Sequence, residues 1–117
     1  MPRASKAEEC LAAALAADPV PGWDLTREHQ FHPVRKWRWD ICFPSQKLAI
    51  EIDGRGRHQT VAGARADCEK LNEGVRRGWR ILRFPATDKA RAREWAALVR
   101  ELLCCHPSSA NDSDASE

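Results

Sequence analysis

Asp40, Glu51 and Asp53 are the acids of two segments whose apolar residues recur every second position, Trp37-Arg38-Trp39-Asp40-Ile41-Cys42-Phe43 and Leu48-Ala49-Ile50-Glu51-Ile52-Asp53-Gly54. Trp37, Trp39, Ile41 and Phe43 make one side of the first, and Leu48, Ile50 and Ile52 one side of the second, as in half-buried strands. With Pro44-Ser45-Gln46-Lys47 as the turn, a hairpin pairs Phe43 with Leu48, Ile41 with Ile50 and Trp39 with Ile52. A shift of one residue breaks all three apolar pairs. In this register Asp40 faces Glu51 with β-carbons about 5 Å apart. Carboxylates that close repel unless one is protonated or a divalent cation lies between them. A solvated polar face is the ordinary meaning of alternation. Here Arg38 faces Asp53, while Asp40 and Glu51 have no basic partner in the ladder, which favours a metal site. Removing either acid is expected to relieve the pair and leave stability unchanged or raised.

The elements that would hold these acids follow from local signals. Ser5-Lys6-Ala7-Glu8 is a capping-box pattern opening an Ala-rich helix to about Ala17, ended by Pro19 and Pro21. Leu11, Ala14 and Leu15 form its buried stripe. Glu8 sits at the edge of that stripe and Glu9 points away, so Glu8 is the better placed beneath the helix. Leu25 to Phe31 reads as a first strand, and the hairpin supplies the second and third. A basic, glycine-punctuated loop from Gly54 to Gly63 carries Arg55, Arg57 and His58. A second helix is expected from about Ala64 to Arg77, with Ala64, Cys68, Leu71 and Val75 buried, Asp67, Lys70 and Gly74 on one flank, and Gly78 as terminator. Trp79 to Phe84 reads as a short buried strand ended by Pro85, and Asp88 as the cap of a last helix to about Cys104. Trp37, Trp39, Trp79 and Trp95 are expected in the core, leaving Trp23 free for stacking.

The 117 residues suffice for one domain with a modest core, assigned to 1–105, and residues 106–117 form an acidic, Ser-rich tail expected to be disordered. With no membrane-length apolar run and no basic, apolar leader, a cytoplasmic protein with no membrane association is expected. Five cysteines, odd in number, fit reduced thiols, and Cys104-Cys105-His106 lacks a second ligand pair for zinc. The net charge of +2 understates the basic character of the domain. Residues 106–117 hold three acids and no Lys or Arg, so the rest carries 19 basic against 14 acidic side chains, and Arg outnumbers Lys 14 to 5. Clusters at Arg35, Lys36 and Arg38, at Arg55 and Arg57, and at Arg76, Arg77, Arg80 and Arg83 would ring the acids, an arrangement suited to a polyanion held over a metal.

This order, with Asp in the second strand and Glu-x-acid in the third, resembles the PD-(D/E)XK, or restriction-endonuclease-like, nuclease superfamily, nearest to very-short-patch-repair-like and small phage or prophage endonucleases. The matching blocks are Arg35 to Asp40, Lys47 to Gly54, Gly56-Arg57-His58, Asp67 to Asn72 and Gly78 to Phe84, within about residues 5 to 100. The resemblance implies an α/β core of order α-β-β-β-α-β-α, with a mixed four-stranded sheet flanked by helices. It implies a Mg2+-dependent endonuclease, with Mn2+ as substitute. Asp40, Glu51 and the backbone carbonyl of Ile52 would hold the metal, joined by Glu8 from the first helix. The motif position usually held by lysine is Asp53 here. Some members carry an acid there and others move the lysine to the following helix, where Lys70 stands. Asp53 is left as a second metal ligand, a water-orienting group or a partner of Arg38.

Phosphodiester hydrolysis asks for the same parts on chemical grounds. A cation neutralises the phosphate and acidifies water, a base orients the attack, and carboxylates suit hard, oxygen-preferring ions. Lys70 could stabilise the pentavalent phosphate, and its plainer reading is a solvated helix lysine near Asp67 and Glu73. His58 could serve as base or phosphate contact, and its plainer reading is a loop histidine. DNA is the expected partner, with Arg35, Lys36, Arg38, Arg55 and Arg57 as contacts. The alternatives are a Holliday-junction-type resolvase, which would need a homodimer to make symmetric cuts, and a catalytically silent nuclease-fold module that only binds DNA. Acids facing phosphate argue against the silent module, and a carboxylate-pair glycosidase has no use for an Arg-rich ring.

Overall fold

In the computed structural model, which describes residues 5–54 and 60–104, the Ser5 side chain accepts the N–H of Glu8 at 3.1 Å and opens α1 (Lys6–Ala16). Its buried residues are Ala7, Glu8, Leu11 and Leu15. β1 (Thr26–Gln30), β2 (Arg38–Phe43) and β3 (Leu48–Asp53) run antiparallel in turn. α2 (Val61–Arg76) then crosses over to β4 (Arg80–Pro85), which lies parallel to β3, and α3 (Ala92–Cys104) ends the fold. The order is α-β-β-β-α-β-α around a mixed sheet of order β1-β2-β3-β4, as the sequence leads one to expect. Gly78, at φ 92°, follows the last turn of α2 and frees the chain to reverse into β4. A 3-10 segment, Ala86–Arg91, precedes α3, and Asp88 lies inside it with non-helical angles instead of capping the helix.

The hairpin pairs Phe43 with Leu48 and Ile41 with Ile50 in the expected register. Its turn is a 3-10 segment, Pro44–Gln46, closed by Lys47 in the left-handed region at φ 51°. The third expected pair does not form. Trp39 belongs to a cluster with Cys42, Ala49 and Trp79, while Ile52 packs against the cluster of α1 and α3 on the opposite face. Ile41 and Phe43 share that second face, so the alternation of β2 breaks between Trp39 and Ile41.

The two clusters make three layers, α1 and α3 on one side of the sheet and α2 on the other. The face that α2 buries differs from the expected one. Ala64, Cys68 and Val75 are exposed, and the flank of Asp67, Lys70 and Gly74 turns toward the sheet. Gly74 decides this, because a β-carbon there would lie 2.7 Å from Trp39 ring atoms. A glycine lets the indole reach the helix backbone, and apolar periodicity alone carries no signal for that approach. Trp39, Trp79 and Trp95 are buried as expected, whereas Trp37 is only half-buried. Trp23 is not free; it packs edge-on against Phe43 at 5.3 Å. Among the described residues no helix is long and apolar enough to cross a membrane. Arg55, Arg57, His58, Cys105 and residues 106–117 lie outside the described residues.

Candidate metal centre and cleft

Asp40 is where two ladders are interrupted. The β2–β3 ladder ends at Ile41 and Ile50, and the β1–β2 ladder pairs Arg27 with Ile41 and His29 with Trp39 but omits Glu28 and Asp40 between them. Side chains take over the released backbone groups. Glu51 Oε2 accepts the N–H of Asp40 at 3.1 Å, and Asp40 Oδ2 accepts the N–H of Ile52 at 2.8 Å. Asp40 and Glu51 therefore meet as expected, but as reciprocal strand clamps rather than as a flat ladder pair.

The other interruption brings in an acid that the sequence reading missed. Glu28 has φ 56°, uncommon for a residue with a side chain. Ligand atoms of Glu8, Glu28 and Asp40 lie within 4.8 Å of one another, and among the described residues this is the group of three able to share a metal. Glu28 could have been found only from the β1–β2 register, which depends on a connection through Pro33 and not on a tight turn. Arg27, also missed, donates to Glu8 at 2.7 Å and to Glu9 at 3.0 Å.

Glu51 faces a different neighbour with its other oxygen. Lys70 Nζ donates to Glu51 Oε1 at 2.6 Å and lies 5.1 Å from the centre of the Trp39 ring. Lys70 is thus held by β3 and by the buried indole instead of being a solvated helix lysine. Burial raises the Glu51 carboxyl above its ordinary value and Asp40 adds to this, against the opposing pull of Lys70. Burial likewise raises Glu8, with Arg27 opposing and Asp40 reinforcing. The donor set of Glu8, Glu28 and Asp40 is all oxygen, and Glu8 within it is buried, with its carboxyl raised by desolvation. Both properties fit a hard divalent cation.

Beside the acids a cleft of about 40 Å³ is lined by Glu51, Ile52, Asp53, Lys70 and Arg83, with Asp67 at its wall. That space holds water or a small ion. Asp53 pairs with Arg83 of β4 at 3.1 Å and not with Arg38. The reason is the shortened β2–β3 ladder, which leaves Arg38 paired with Gln30 on β1. Arg35, Lys36 and Arg38 are exposed at the start of β2. The third basic cluster is largely engaged in structure. Arg76 and Arg77 hold Glu73, Arg80 donates to the carbonyl of Leu102, and only Arg83 reaches the cleft.

This chain shares its fold with the catalytic domain of an endonuclease. That domain comes from the homing endonuclease I-Bth0305I, with a TM-score of 0.63 and 20% identity over 89% of this chain and 99% of that one. No protein-family model matches the sequence, and no curated protein matches it.

Proposed function

We propose that the chain is a metal-dependent endonuclease that hydrolyses phosphodiester bonds in DNA. The single observation that carries the reading is the position of Asp40, gathered with Glu8 and Glu28 on one side and clamped to the Lys70-bound Glu51 on the other. The likeness to an endonuclease catalytic domain supports it through the fold. Asp40, Glu8 and Glu28 would hold Mg2+ or Mn2+, with Glu51 and the Ile52 carbonyl closing the set toward the cleft. When bound, the ion neutralises the phosphate and acidifies a water.

The rest of the work falls to the chain's own groups. Lys70 presents a fixed ammonium at the cleft, suited to the charge that develops on phosphorus oxygens in the transition state. Glu51 aims that ammonium, and Trp39 backs it. Asp53, held by Arg83, forms part of the cleft wall. Arg35, Lys36 and Arg38 supply phosphate contacts beside the site. Cuts in both strands would take two copies of the chain. A cleavage panel of branched, mismatched, single-stranded and linear duplex DNA tests the reading with Mg2+, Mn2+ or EDTA. Cleavage with either ion and none in EDTA is expected; inertness toward every substrate with both ions would overturn it.

A further inference from the structure

We infer that the groove between α2 and the segment leading into β2 is a receptor for an unpaired nucleobase of the bound strand. The groove is open to solvent and offers about 500 Å³, lined by His32 and Trp37 from the segment before β2 and by Glu69, Asn72 and Arg76 of α2. A volume of this order accommodates a whole nucleotide. The sequence predicts Trp37 as core, yet the indole is half-buried and lines this groove.

The ring has an aromatic neighbour. Phe31 lies 6.2 Å from it at 16°, and the same Phe31 stacks at 4.1 Å on Trp39, which reaches Lys70. The half-exposed Arg35 guanidinium sits 3.9 Å from the ring centre and, among the described residues, makes one long 3.9 Å ion pair, to Glu69. The guanidinium covers this face of the indole, so a planar base would stack there by displacing it. Arg35 can lie over an inserted base or swing to its phosphate.

The rim matches a nucleobase edge better than an apolar side chain. The Asn72 amide donates and accepts and Glu69 accepts, while Glu73 is occupied by Arg76 and Arg77. Arg76 is 70% exposed and Lys36 is exposed beside Arg35, so cations stand where a backbone would pass. The placement fits one continuous strand. Trp37 precedes Asp40 by three residues, about 10 Å along an extended chain, and α2 presents Lys70 to the cleft on one flank and Asn72 to the groove on the other.

The inference rests on the nuclease reading for its substrate, but its test reads binding alone. With Ca2+ present, a fluorescein-labelled duplex carrying a single-stranded overhang is compared with the blunt duplex by anisotropy. The wild-type chain is expected to prefer the overhang by about tenfold, the scale of one stacked base. Trp37→Ala should remove the preference, and Trp37→Phe should restore most of it. Should Trp37→Ala fail to fold, Asn72→Ala, an exposed position, should still change the ranking of adenine, cytosine and thymine overhangs. Equal binding of overhang and blunt duplex by the wild-type chain, or full preference and unchanged ranking in the variants, would overturn the inference. Metal-dependent cleavage could survive that result. Conversely, overhang preference without cleavage in any metal would keep the groove and remove the nuclease reading.

Discussion

Asp40 and Glu51 each hydrogen-bond the strand that carries the other, the Glu51 carboxylate taking the Asp40 N–H at 3.1 Å and the Asp40 carboxylate taking the Ile52 N–H at 2.8 Å. The acids therefore replace a stretch of sheet ladder, while Asp40 also joins the acid cluster with Glu8 and Glu28 and Glu51 also lines the cleft. This double duty changes what their removal should do.

Asp40→Ala is expected to abolish cleavage and cost about 1 kcal/mol of stability. Relief of carboxylate repulsion is opposed by an unsatisfied Ile52 N–H, worth about 1–3 kcal/mol. The relief expected from the sequence alone is thus outweighed. Asp40→Asn keeps an acceptor, so it should abolish cleavage with almost no change in the denaturant midpoint. DNA binding in Ca2+ should hold or strengthen in both. Substantial residual cutting in the Asn variant would exclude Asp40 as a ligand.

Lys70→Ala should lower turnover by two or more orders of magnitude, on the scale of losing one preorganised transition-state contact. Lys70 also holds the Glu51 carboxyl down. Its removal should therefore move the acid limb of the pH–rate profile to higher pH. Single-turnover rates across the acid range measure both effects, and near-wild-type rates would return the chemistry to the acids and solvent.

Asp53→Asn should leave turnover and metal dependence nearly unchanged. The Asp53–Arg83 pair is more than a third exposed on both sides, and such pairs are worth at most about 1 kcal/mol. A Mg2+ titration of cleavage checks this, and a large shift in the half-saturating concentration would make Asp53 a ligand.

Without metal, the thermal midpoint should fall as pH rises from mildly acid to neutral. Burial raises Glu51 and Glu8 above 4.5, so the native protein keeps protons that the unfolded chain has lost. That contribution is complete below 4.5 and disappears as pH climbs through the native values. Glu73 acts in the other window: Arg76 holds it at about 2, so its contribution is present above 4.5 and lost as pH falls toward 2. Glu51→Gln should flatten the upper limb, and Mg2+ should restore the wild-type midpoint at neutral pH. Calorimetry in EDTA and in Mg2+ distinguishes these, and a midpoint that climbs steadily to neutral pH in EDTA would contradict them.

Gly74→Ala should destabilise by about 1–3 kcal/mol, although alanine is the better helix former by about 1 kcal/mol. The new methyl would meet the Trp39 ring at 2.7 Å and Ile81 Cδ1 at 3.1 Å. Since Trp39 backs Lys70, turnover should fall along with the urea midpoint. A stabilised variant would mean that α2 can shift away freely.

Element order, hairpin register and the meeting of Asp40 with Glu51 were legible because each rests on short-range signals, namely a cap, a turn and a period, whereas the approach of Glu8 to Asp40 followed from the family resemblance. What escaped has a common physical origin. The Trp39–Ile52 pair fails because side chains, not backbone, bond the strands beyond Ile41. The face of α2 was misread because Gly74, having no side chain, is silent in any apolar pattern while it admits the largest ring of that cluster. Glu28 depended on a register set across a long connection, and the pairing of Arg83 with Asp53 on a parallel neighbour brought in by a crossover.

The interrupted ladder also gives the site its own spectroscopic reporters. The amide protons of Asp40 and Ile52 are each held by a carboxylate, whereas those in the regular part of the sheet are held by carbonyls, which do not titrate. Exchange with solvent deuterium at the Asp40 amide should therefore follow the charge on Glu51. A cation drawn onto the two carboxylates would register at both amides, residue by residue, while Cys42 and its buried neighbours exchange at the pace of global opening.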